Sequence, residues 1–92
     1  MGVTLTGFLR CANTDDAARV RAALEAHIRL PRAEPGCTSF EVHPTDDPLV
    51  WSVAEEFTTP AAFEAHQARA SVSAWAEHTK GIARDYTIVG MP

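Results

Sequence analysis

The stretch LVWSVAEEFTTPAAFEAH, Leu49 to His66, constrains this chain most, because it reads as a strand passing directly into a helix. Trp51, Val53, Glu55 and Phe57 fall on one side of a period-two ladder and Val50, Ser52, Ala54 and Glu56 on the other. Both sides are largely apolar until the two glutamates, which predicts a central strand with something packed on each face. Thr58-Thr59-Pro60 then ends it. A threonine oxygen can cap the amides of a new helix, and proline fits the first helical turn, where an N–H is not needed. Phe63, His66 and Ala70 follow at helical spacing, so the helix turns a Phe/His stripe back toward the sheet.

Ninety-two residues suffice for one domain, residues 1–92, at the small end of what buries a core alone. A two-faced central strand in so short a chain points to a homodimer. An apolar fraction of 46% with 22% charged residues argues against disorder. The net charge is −4 and the eight Lys and Arg are scattered singly, so there is no basic stripe for nucleic acid. No apolar run approaches the roughly 18 residues of a membrane span, and the cytoplasm is the expected location. Met1 to Thr6 fits the bare N-myristoylation pattern, yet the same residues open an alternating strand, which is the preferred reading.

Val3 to Arg10 reads as the first strand; Gly7 within it implies a ligand or another backbone coming close. Asn13-Thr14-Asp15-Asp16 starts a helix, with capping oxygens and first-turn carboxylates. Val20, Leu24, His27 and Ile28 form its buried stripe, Pro31 is expected to bend or end its regular part, and Pro35-Gly36 closes it. Thr38 to His43 and Leu49 to Phe57 make a hairpin around Pro44 to Pro48. After the helix that begins near Pro60, Ser71 and Ser73 offer a cap for a short helix carrying Trp75, which Lys80-Gly81 ends. Arg84 to Val89 is the last strand.

The order βαββαβ with right-handed crossovers predicts an α+β, ferredoxin-like fold: a four-stranded antiparallel sheet with helices on one face. The other face is expected to be bare and apolar, and covered by a second subunit. Cys11 and Cys37 fall at opposite ends of parallel strands, far outside disulfide range, and are read as free thiols.

Glu34-Pro35-Gly36-Cys37, Phe40-Glu41-Val42-His43, and Glu55-Glu56-Phe57 followed by Ala62-Phe63-Glu64-Ala65-His66 are matching pieces whose order and spacing resemble the antibiotic biosynthesis monooxygenase (ABM) family over nearly the whole chain. The resemblance implies a dimeric α+β barrel and a quinol or phenol monooxygenase that uses molecular oxygen without metal or flavin; one branch of the family degrades haem. Antibiotic-tailoring members resemble one another in a Trp at the strand end, an Asn four residues before it and a Tyr six after; here those places hold Phe57, Val53 and Phe63. Against the haem-degrading pattern, the Trp falls on Phe57, the catalytic His near Ala76 and the strand-one Asn near Gly7.

If the Trp51 side of strand three faces the helices, Glu55 and His66 converge in one apolar cleft, and a carboxylate beside an imidazole orients a general base. The competing reading is a hydrogen bond inside the core. Phe57, Phe63 and Trp75 are expected to line a dry pocket, with Trp51, His78 and Tyr86 as further pocket residues; each could equally serve only as packing. His27 lies near the buried side of the first helix, and His43 is expected to face solvent. No histidine or carboxylate pair has metal-ligand spacing, and no phosphate-binding or dinucleotide glycine loop occurs. The reading that follows is a cofactor-independent monooxygenase of small aromatic quinols or phenols, with His66 as base supported by Glu55. The alternative is a dimer that binds a small apolar ligand without turnover, as carrier or sensor.

Overall fold

Side-chain alternation settles which residues form the core. Val3, Leu5 and Leu9 of strand β1 (Val3–Arg10), Phe40 and Val42 of β2 (Cys37–Pro44) and Trp51, Val53, Glu55 and Phe57 of β3 (Val50–Phe57) are all buried on one face. The computed structural model describes residues 2–92; Met1, on which the acylation pattern begins, lies outside them. With β4 (Ala83–Val89) the strands form one sheet in the order β2-β3-β1-β4, every neighbouring pair antiparallel. This is the ferredoxin-like arrangement that the element order predicts.

Helices α1 (Thr14–Arg32), α2 (Pro60–Ser71) and the short α3 (Ala74–His78) cover the buried face. Each begins where a side-chain oxygen satisfies an otherwise free amide: Asn13 accepts from Asp16, Thr59 from Ala62 and Ser73 from Ala76. Pro31 does not end α1. It sits in the last turn, and the helix runs one residue beyond it. The free thiols follow the topology, because Cys37 is level with Phe57 and Val3 while Cys11 lies past the far end of β1.

Two glycines allow contacts that a side chain would forbid. Gly7 (φ +152°) lies opposite Tyr86, and a Cβ there would stand 2.0 Å from the Asp85 carbonyl oxygen; the close neighbour is a backbone. Gly36 (φ +85°) lets the loop before β2 lie on α2, where a Cβ would meet that of Ala62 at 2.6 Å. Thr58 N–H donates to the Gly36 carbonyl at 2.8 Å and ties the two segments together.

The sheet's other face departs from expectation. It carries Phe8, Val50 and Val89, but also Thr4, Thr6, Ser52, Thr87, Glu41, Glu56 and Asp85, so it is mixed rather than apolar. Every outward row carries polar residues, Ser52 and Glu56 of β3 among them. Among the described residues, no helix is long and apolar enough to cross a membrane.

Gly7→Ala is expected to cost roughly 3 kcal/mol or more in urea denaturation, because the methyl meets immovable backbone and the residue keeps an unfavourable φ. A loss below about 1 kcal/mol would show that β4 can shift freely.

Candidate active site

His66 is brought to the sheet by its place on α2. Phe63 and His66 are the buried residues of that helix, three apart and therefore on one face. The imidazole, 2% exposed, is sandwiched between aromatic rings: Phe57 at 5.0 Å and Phe40 at 5.4 Å between centroids. Such a ring needs polar partners, because a buried unpaired nitrogen costs about 1–3 kcal/mol. Both nitrogens face carboxylates. Nδ1 is 3.0 Å from Oε1 of Glu34, and Nε2 is 3.7 Å from Oε1 of Glu55.

The hydrogen-bond partner is thus Glu34, whereas the sequence points to Glu55. At 3.7 Å Glu55 is close but beyond hydrogen-bond length, and its Oε1 has no partner. Glu34 is held in turn by Arg69, whose Nε and Nη2 donate to Oε2 at 3.1 and 2.9 Å. Gly36 explains the placement. It docks on Ala62, one helical turn before His66 on the same face, so the loop that carries Glu34 lies along the stripe that continues to Arg69.

The electrostatics differ between the two acids. Burial, reinforced by the Glu34 charge, pushes Glu55 up to about 7. Burial also works against the charge of Glu34, but hydrogen bonds from Arg69 and His66 outweigh it and hold its carboxyl below the usual range. His27, stacked flat on Trp75 at 4.0 Å, is pushed down to about 3, first by burial and then by the His66 and Arg84 charges. Burial pushes Tyr86 up to about 12. Near neutral pH the site therefore holds one fixed carboxylate, a carboxyl balanced between two forms, and a neutral His27.

An inner cleft of about 390 Å³ opens over the middle of the sheet, and Glu55, His66, Trp75 and Tyr86 line it together with His27 and Arg84. Four other expected pocket residues lie elsewhere. Phe57 and Phe63 pack on each other at 5.5 Å and back the imidazole instead of lining the cleft. Trp51 is four residues along β3 from Glu55, roughly 13 Å away, and buried beneath Arg21. His78 lines a second, outer groove of about 620 Å³ between α1 and α2, on the far side of the His27–Trp75 stack. His66 borders both spaces.

Arg84 and Thr79 fasten the wall from behind. Arg84 donates to the Thr79 hydroxyl at 2.7 Å, and that hydroxyl donates to the Trp75 carbonyl at 2.7 Å. Among the described residues, no three His, Cys, Asp or Glu side chains are grouped to hold a metal ion.

Residues 3–78 match the model of the antibiotic biosynthesis monooxygenase family. The chain belongs to that family. No curated protein matches it, whereas solved structures do. The Rv0793 protein of Mycobacterium tuberculosis superposes with a TM-score of 0.84 at 19% identity, over 100% of this chain and 96% of the other. A candidate antibiotic biosynthesis monooxygenase from Nitrosomonas europaea gives 0.81 at 24% identity, over 98% and 97%. A variant of SnoaB, a cofactor-independent oxygenase from Streptomyces nogalater, gives 0.76 at 12% identity, over 95% and 89%. At these identities the likeness is one of fold, and the family's chemistry has to be sought in the side chains of the inner cleft.

Glu55→Gln tests the electrostatics directly. A carboxyl raised from 4.5 to about 7 binds a proton more tightly in the folded state, so its contribution is fully present below pH 4.5 and is lost as pH rises through 7. The glutamine variant has no such loss, so its stability relative to wild type should improve by on the order of 3 kcal/mol between pH 4.5 and pH 8. Denaturant titrations at both pH values measure this, and parallel pH profiles would contradict it.

Proposed function

We propose that the protein is a cofactor-independent monooxygenase that oxidises small phenols or quinols with molecular oxygen. The observation that carries this reading is a buried imidazole between two carboxylates, at the wall of a cleft of small-molecule size that mixes polar and apolar side chains. The family supports the reaction class, and SnoaB's description as a cofactor-independent oxygenase supports chemistry without a bound group.

In this reaction His66 takes the phenolic proton at Nε2, and the phenolate gives electron density to oxygen at a ring carbon bearing hydrogen. The peroxide that forms accepts the proton back from His66. Loss of the carbon-bound proton with departure of hydroxide leaves a carbonyl, so phenol plus oxygen yields quinone plus water with no external reductant. Glu55, about half protonated near neutral pH, is placed to donate to the departing oxygen.

The rival reading, a carrier or sensor of a small apolar ligand, draws on the unpartnered Glu55 Oε1, which a bound ligand could satisfy without reacting. Oxygen uptake with a panel of hydroquinones and polycyclic phenols separates the two. His66→Ala should lower turnover on the order of 10²-fold or more. Activity equal to wild type removes the imidazole from the reaction, and a retained, unmodified ligand in native mass spectrometry favours the carrier.

A homodimer through the uncovered sheet face is part of the same proposal. Phe8 (38% exposed) of β1 and Val89 (61%) of β4 are large apolar side chains left exposed on that face. Equilibrium sedimentation at micromolar concentration should give twice the mass of the chain; monomer alone would refute the assembly.

A further inference from the structure

Building on the role proposed for His66, we infer that Glu34 is its positioning residue: it selects the imidazole tautomer that leaves Nε2 free to act as base in the inner cleft. Among the described residues, Glu34 is the group within hydrogen-bond distance of Nδ1, at 3.0 Å, with its second oxygen at 3.4 Å. An ionised carboxylate only accepts, so Nδ1 must carry the hydrogen and donate it. In the neutral ring Nε2 is then bare. That nitrogen points toward Glu55 and the cleft, where a substrate hydroxyl would meet an acceptor.

Arg69 makes the selection firm. Its two donors fall on Oε2 of Glu34, leaving Oε1 for the imidazole, so the carboxylate's two oxygens are divided between two partners. Arg69 also keeps Glu34 ionised. When His66 gains the substrate proton, the resulting imidazolium lies 3.0 Å from that fixed negative charge, which stabilises it without any movement. Glu34 does not line the inner cleft and touches no reacting atom; it borders the outer groove.

The division of oxygens makes Glu34→Gln a sharp test. A glutamine has one acceptor oxygen, and two donors of Arg69 compete for it. The amide NH₂ then faces Nδ1, which must accept, and the ring hydrogen moves to Nε2. The variant keeps the shape and the hydrogen bonds while silencing the base.

Nitrogen-15 spectra of histidine-labelled protein read the tautomer, with the His66 signals assigned by their absence in His66→Ala. Wild type should show Nδ1 protonated and Nε2 bare, and Glu34→Gln the reverse. With an active phenol, kcat of Glu34→Gln should fall on the order of 10²-fold with KM changed less than about twofold, and Glu34→Asp should recover part of the loss. Nε2 protonated in wild type, or one tautomer in both proteins, overturns the inference whatever the rates. If His66→Ala turns over as fast as wild type, the base proposed above fails, while the spectra still decide whether Glu34 sets the tautomer.

Discussion

An imidazole taken out of water holds its neighbours to strict terms, because each nitrogen must find a partner and the choice at one dictates the chemistry at the other. His66 imposes those terms here. A carboxylate from the loop before β2 answers at Nδ1, and a carboxyl from β3 stands near Nε2. Three segments distant in sequence therefore meet at one ring, and the rings of Phe40 and Phe57 keep solvent from offering an alternative.

What lets them meet is mostly small. Gly36 allows the loop to rest on Ala62, and Gly7 allows β4 to approach β1 where Tyr86 reaches the cleft. The sheet supplies the rest, since Leu5, Val42 and Val53 form the cleft floor from three adjacent strands. The two acids then divide their labour by environment. Glu34 is pinned by a guanidinium and stays charged, whereas Glu55 has only burial and a like charge nearby and hovers between forms.

Much of this was legible in the residues. Period-two and helical spacings place β3, α2 and the Phe63/His66 stripe, and the convergence of Glu55 with His66 follows from strand parity and helix pitch. Glu34 escaped because its side chain belongs to a loop, where no periodicity tells direction; the clue was Pro35-Gly36 beside it, which marks a backbone able to press against a neighbour. Shared face alone places Trp51, Phe57 and Phe63 at the pocket. Sharing a face fixes which layer a residue enters, not how far along the strand a cavity extends. The bare sheet face is mixed because its outward rows, including Ser52 and Glu56 of β3, carry polar residues between the apolar ones.

The stacked pair of His27 and Trp75, from α1 and α3, stands between the two spaces beside His66 and Ala70 of α2, which also border both. Trp75 rides on the five-residue α3, fastened by Thr79 and Arg84. A smaller residue at that one position would remove the stack on His27 and widen the space beside it, while touching neither carboxylate contact of the imidazole. Ligand size can therefore drift over evolutionary time independently of the proton-handling machinery, which gives a small domain a route to new substrates with little risk to its chemistry.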